Sequence, residues 1–208
     1  QFDRIFDVDA SQQRVFDATT QPLVDRVFAG YNGCVFAYGQ TGSGKTHPMM
    51  GDYAAYVRCK KAGKMPPEDL RGVNVRALQS VFALAAVEAE EVRTLVKMSM
   101  GEGYNERIID LLNNDTEEAE AENKRAGGRG VDLPGLEVRL GKDGSFVEGL
   151  SEWDVAGEEE VLALIEKGQG LRKVASNNIN EHSSRSHLVI IVKVYRENFV
   201  SGAMTSGY

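Results

Sequence analysis

The sequence predicts an α/β fold in which a central mixed β-sheet is sandwiched by helices. Three observations predict it. The apolar run Cys34, Val35, Phe36, Ala37, Tyr38 has the pattern of a strand buried on both faces, and a glycine-rich turn follows it at once. Helical stripes and β-patterned runs then alternate along the chain. Finally, 208 residues suit one domain with a real core.

The elements follow in order. Residues 11–28 place Val15, Phe16, Thr19, Leu23, Val24, Val27 and Phe28 on one helical stripe, with Ser11 as N-cap and Gly30 as stop. Pro22 should kink or split that helix. After the strand at 34–38 and its turn, residues 53–71 read as irregular, with Pro66, Pro67 and a solvated basic cluster at Arg58, Lys60, Lys61 and Lys64. Residues 75–87 read as a helix through Leu78, Val81, Phe82 and Leu84, and 92–100 as a strand. Residues 136–140 and 145–150 form a hairpin turning at Lys142, Asp143 and Gly144. Residues 158–167 are a short helix whose three leading glutamates and closing Lys167 match its dipole. Residues 188–195 close the pattern as a strand.

Composition limits the partners. A formal charge of −7 argues against a nucleic-acid binder, whose footprint is a basic surface. Much of the acidity falls in residues 115–122, inside a stretch at about 113–132 that lacks apolar periodicity and reads as a mobile acidic loop. No run is long and apolar enough for a membrane span, and there is no signal-type leader, although Gln1 suggests that the native start is absent. Cys34 and Cys59 make neither a disulfide framework nor a metal set and read as reduced thiols of a cytosolic protein.

Gly39, Gln40, Thr41, Gly42, Ser43, Gly44, Lys45 and Thr46 fit the G-x-x-x-x-G-K-[ST] template at every fixed position. The glycines let the backbone fold tightly, so that successive N–H groups face a phosphate. Lys45 adds a cation for the outer phosphates, the Thr46 hydroxyl is a ligand for Mg2+, and a helix starting near Gly44 brings its positive end. Pro48 in the first turn of that helix costs little. His47 is a candidate to pack on the base or ribose, or a plain surface histidine.

Three stretches together resemble the kinesin motor family. Residues 30–46 resemble the segment that leads into the kinesin phosphate loop. Glu102, Gly103, Tyr104, Asn105 and Glu106, followed by residues 109–112, look like the kinesin E-I-Y-N-E segment. Asn180, Glu181, His182, Ser183, Ser184, Arg185, Ser186 and His187 match N-x-x-S-S-R-S-H, the kinesin switch I motif, without a mismatch.

The resemblance implies a P-loop NTPase with the kinesin motor fold, over residues 1–208 as a partial motor domain with switch I at 176–187. It implies an ATPase that steps along microtubules, with ATP and Mg2+ as cofactors. Ser183 and Ser184 would sense the γ-phosphate and magnesium, with Ser184 a second metal ligand. Asn180 would orient the nucleotide or attacking water, and Arg185 would pair with an acidic residue of switch II. Residues 176–178 and 149–153 are similar to the C-terminal-motor, minus-end-directed kinesins. The implied location is the cytoplasm and its microtubule cytoskeleton, spindle or cilium included.

The family's adenine-contacting R-x-R-P motif is not found before Phe2, and Tyr208 stands where the switch II strand should begin. Asp132, Leu133, Pro134 and Gly135 spell D-x-x-G, but they precede switch I and follow a glycine-rich stretch, so they are rejected as switch II. The fold is therefore expected to be incomplete at both ends. Hydrolysis by this stretch alone is not expected, and microtubules would be met mainly through segments outside it, as would a dimer or assembly partner. Gly103 stands where the family has a β-branched residue and Asn74-Val75 where it often has an apolar residue and proline. The alternative function is a kinesin-like structural subunit docked in a microtubule assembly with little or no ATPase activity. A small GTPase is excluded because no N-K-x-D-like motif occurs.

Overall fold

A computed structural model describes residues 1–104, 106–113, 121–122, 124–125, 133–142, 144–175 and 186–208. The chain forms two compact units, residues 1–95 with 193–208, and residues 96–192.

In the first unit, α1 (Gln12–Thr19) and α2 (Gln21–Phe28) divide the stripe expected at 11–28. Ser11 caps α1, its hydroxyl accepting from the Arg14 N–H at 3.2 Å. The break falls at Thr20, which ends α1 and begins α2. Pro22 then lies in the first turn of α2, where no N–H is needed. Gly30 turns the chain away with φ +87°. Helices α1 and α2 pack with α5 (Val73–Val87), burying Phe16, Val24, Leu78 and Val81.

Between them lie α3 (Thr46–Met50) and α4 (Tyr53–Lys61). The second corrects the irregular reading of 53–71, which also contains a 3-10 turn, Glu68–Leu70. Helix α4 is set by its ends: the Asp52 carboxylate accepts from the Ala55 N–H at 2.9 Å, and Arg58, Lys60 and Lys61 occupy the last turn. Tyr56 is its buried anchor. The whole excursion leaves and returns at one point, where Gly51 bridges Arg71 and a Cβ at Gly72 would clash with the Gly51 nitrogen and lie 2.6 Å from the Met49 carbonyl oxygen.

Residues 34–38 are not a strand, and Phe36 and Tyr38 are 78% and 95% exposed. A doubly buried strand requires hydrogen-bonded neighbours on both edges, and among the described residues no strand pairs with this run. The unit is closed by the hairpin of β7 (His187–Asn198) and β8 (Met204–Gly207), which pair antiparallel from Val194↔Gly207 to Glu197↔Met204.

In the second unit, β1 (Val92–Tyr104) forms hairpins with β2 (Arg107–Asp110) and pairs β6 (Trp153–Val155), all antiparallel. The order is β3 (Gly135–Leu136), β2, β1, β7. Strand β1 runs past the expected residue 100 to Tyr104. Strands β4 (Val138–Gly141) and β5 (Gly144–Val147) are the expected hairpin, turning at Gly144 with φ +119°.

Helix α6 (Glu158–Ala175) extends eight residues beyond the expected 158–167. Gly168 and Gly170 lower helix propensity, but packing overrides it: a side chain at Gly168 would come within 2.9 Å of Met100 Cε and collide with its sulfur. Met100 belongs to a core with Leu111, Leu112, Leu133 and Leu171, joined by Ile109, Leu164, Leu188 and Ile190. Buried Asp110 holds the turn beside it, accepting from the N–H groups of Leu112 (2.8 Å), Asn113 (3.1 Å) and Ser151 (2.7 Å). Gly103 has ordinary space around it, with His187 Cβ 3.9 Å from a built Cβ. Among the described residues no helix is long and apolar enough to cross a membrane.

Candidate functional site

Residues 39–46 form a loop whose shape depends on its glycines. Gly42 and Gly44 sit at φ +83° and +88°, in the left-handed region that side chains disfavour. Gly39 is needed for closeness, since a Cβ there would meet Ser43 Oγ in a steric clash and lie 3.3 Å from Ser43 Cβ. The Ser43 N–H donates to the Gln40 carbonyl at 3.2 Å, closing the turn. Gln40, Thr41, Thr46 and the His47 side chain are exposed.

Lys45 folds back over this turn. Its ammonium donates to the carbonyls of Gly39 and Gln40, both at 2.7 Å. A half-buried cation thus stands on two of the loop's own carbonyl oxygens, in a turn whose backbone conformation glycine favours. Those are the requirements of a phosphate cradle: tight backbone, no Cβ in the way and a mobile positive charge. The residues present therefore fit a nucleotide phosphate.

The helix that follows is short and begins at Thr46. Helix α3 has five residues, so its dipole adds little, and Lys45 is the charge this loop offers an anion. Pro48, third in α3, lies in the first turn and removes no helical hydrogen bond. The far end of the cradle is anchored instead by buried Gln12, whose side-chain amide donates to the His47 carbonyl at 2.8 Å. Gln12 was not apparent as a support from sequence, because only the contact across 35 positions reveals it. A second concavity of about 490 Å³, lined by Arg4, Ser11, Gln13, Arg14, Asp17 and Ala18, is an open surface hollow with no comparable construction.

Gly39, Gln40, Thr41, Gly42, Ser43, Gly44, Lys45, Thr46 and His47 are all among the described residues and form one continuous loop and the start of α3. Asn180, Ser183, Ser184 and Arg185 lie outside the described residues, as do Asn105 and most of the acidic stretch at 113–132.

The family model described as kinesin motor domain matches residues 1–206. The chain belongs to the kinesin motor family. Among curated relatives, a kinesin heavy chain of Neurospora crassa is 35% identical over 208 residues, covering 99% of this chain and 19% of that one. A kinesin-like protein, KIN-14E of Oryza sativa, is 37% identical over 205 residues, covering 98% and 16%. A solved structure of a fast kinesin superposes with a TM-score of 0.78 at 34% identity, covering 99% of this chain and 51% of that one. The chain thus spans about a fifth of the length of the curated kinesins it matches and about half of the solved one. Kinesins are a microtubule motor family, and the motor fold, helices flanking a central antiparallel sheet, implies nucleotide binding.

This kinesin chain also carries a constellation that the sequence motifs did not single out. Arg172, near the end of α6, donates from Nε to Glu102 Oε1 at 2.7 Å and from Nη2 to Ser186 Oγ at 3.0 Å. Glu102 and Ser186 both lie within stretches quoted for the resemblance; Arg172 does not, and only the fold joins it to them.

Proposed function

We propose that this chain is the ATP-holding part of a motor that couples ATP hydrolysis to movement along microtubules. The observation that carries the reading is the Lys45 ammonium poised on the Gly39 and Gln40 carbonyls beside a turn whose positive φ angles favour glycine. Magnesium–ATP, when bound, supplies a phosphoanhydride bond and a cation that offsets its charge. Backbone N–H groups of residues 39–46 other than that of Ser43 would hold the phosphates, and Lys45 would exchange its two carbonyl partners for phosphate oxygens.

Thr46 and Ser184 are assigned to magnesium, Ser183 to the γ-phosphate, Asn180 to the nucleotide or the attacking water, and Arg185 to an acidic partner. His47 is assigned to the base or ribose face. Their support is the motif match, together with family membership. Microtubules are the proposed track and the cytoplasmic cytoskeleton the proposed location; a dimer or assembly partner is proposed to be met through regions outside this chain.

Microtubule-stimulated ATP turnover by the full-length protein, compared with Lys45→Ala, tests the proposal. Turnover well above the variant is expected. Turnover no higher than the variant would sink the motor reading and leave a structural subunit docked in a microtubule assembly. Pro48 does not argue for that alternative, since its position in α3 costs the helix no hydrogen bond.

A further inference from the structure

We infer that the C-terminal turn of α4 is a docking surface for an acidic peptide segment, contacted through Arg58, Lys60, Lys61 and Lys64. The inference goes beyond the proposed function and needs no bound nucleotide.

In a chain with 31 acidic and 24 basic side chains, residues 53–67 hold four of the cations and no acid. All four are exposed, and they stand on an ordered support. Tyr56, 1% exposed, anchors α4, and the Gln79 amide donates to its hydroxyl at 3.4 Å. The bridge between Gly51 and Arg71 closes the base of the excursion. At the other end the Lys64 N–H donates to the Cys59 carbonyl and the Gly63 N–H to the Lys60 carbonyl, both at 2.9 Å, with Gly63 at φ +67°. That pair of bonds is a glycine cap, and it folds Lys64 back against the last turn.

Cations in a last turn commonly serve the helix's final carbonyls. Here backbone N–H groups already hold the carbonyls of Arg58, Cys59 and Lys60, so the cap does not call for four cations. The flanking acids are committed elsewhere: Asp52 caps the far end of α4, and Glu68 pairs with Arg71 at 3.3 Å. Charge complementarity therefore asks for an anionic partner. Two features favour a polypeptide over a nucleic acid. No aromatic side chain among residues 52–67 is exposed for base stacking. Met65, 92% exposed beside Lys64, offers an apolar contact that a phosphate backbone does not return. The chain's charge of −7 also repels a long polyanion. A short acidic segment feels chiefly the charges within a Debye length, about 10 Å.

The test uses the full-length protein and fluorescence anisotropy of two labelled probes, a glutamate-rich peptide with one leucine and a thymidine oligonucleotide of equal charge. Combining Arg58→Gln, Lys61→Gln and Lys64→Gln removes charge and keeps helix propensity. Peptide affinity should fall roughly tenfold, the combined effect of three exposed ion pairs. Its salt dependence should weaken too, with the thermal midpoint unchanged. Should the triple variant unfold, Lys64→Gln alone, beyond the helix end, must still weaken the peptide about twofold. Equal peptide affinity in wild type and the folded variant would overturn the inference and leave the cluster a solvated surface. An oligonucleotide that binds wild type more tightly than the peptide, and loses more in the variant, would overturn the assignment to an acidic peptide.

Discussion

Glu102 on β1 and Arg172 on α6 form an ion pair of 2.7 Å across 70 positions of sequence, the carboxylate fully buried and the guanidinium side chain 19% exposed. Breaking such a pair from one side strands the other charge in a poor solvent. Glu102→Ala should therefore destabilise the protein by about 2–3 kcal/mol, below the top of the range for buried pairs because Arg172 retains some water contact. Urea unfolding measures it. A loss under about 0.5 kcal/mol, the scale of an exposed pair, would show that solvent already screens the interaction.

Gly44 tests the loop rather than the core. At φ +88° with nothing within 4 Å of a built Cβ, Gly44→Ala suffers from backbone strain alone, about 1–2 kcal/mol. That strain opposes the conformation that aims N–H groups at phosphate. Nucleotide affinity should fall at least about tenfold, the equivalent of roughly 1.4 kcal/mol. Isothermal titration against Lys45→Ala and wild type would show it, and unchanged affinity would mean that the loop binds in another conformation.

Arg76 is the buried charge of the first unit. It donates to the carbonyls of Arg71 (3.0 Å) and Glu68 and to the Gln13 side chain. Arg76→Ala should cost about 2–3 kcal/mol through the acceptors it orphans. Burial first, and then the neighbouring Arg71 charge, lower its pKa from the ordinary guanidinium value. A cation lowered on folding holds fewer protons in the folded state between its two pKa values, so stability rises with pH only across that window. For guanidinium the window is strongly alkaline, and this residue should give a flat stability profile through neutral pH. Thermal melts of wild type and Arg76→Ala that converge between pH 6 and 8 (about two units around neutrality) would contradict that.

The parts of the fold legible in sequence were those dictated by short-range chemistry. Ser11 and Pro22 gave the start and the division of the first helices, and Gly144 gave the β4–β5 turn. The glycines and Lys45 of the cradle were equally plain, because each position demands one residue type. What escaped was set by distance. The run at 34–38 has strand composition, but strand formation belongs to a pair of segments and not to one. Helix α4 escaped for the opposite reason: its apolar stripe reduces to Tyr56, and its ends rather than its face define it. The extra turns of α6 hid behind Gly168, a helix-weakening residue locally and a packing requirement in the fold.

That last contact has a mechanical consequence. With Met100 seated against the bare backbone at Gly168, α6 is keyed to its neighbour at mid-length, because any side chain at that position would have to displace the Met100 sulfur. Lys167 is itself pinned by the Leu112 carbonyl and the Trp153 ring, 5.1 Å away. Two successive residues thus fix the position of α6, Gly168 by close packing and Lys167 by its charge.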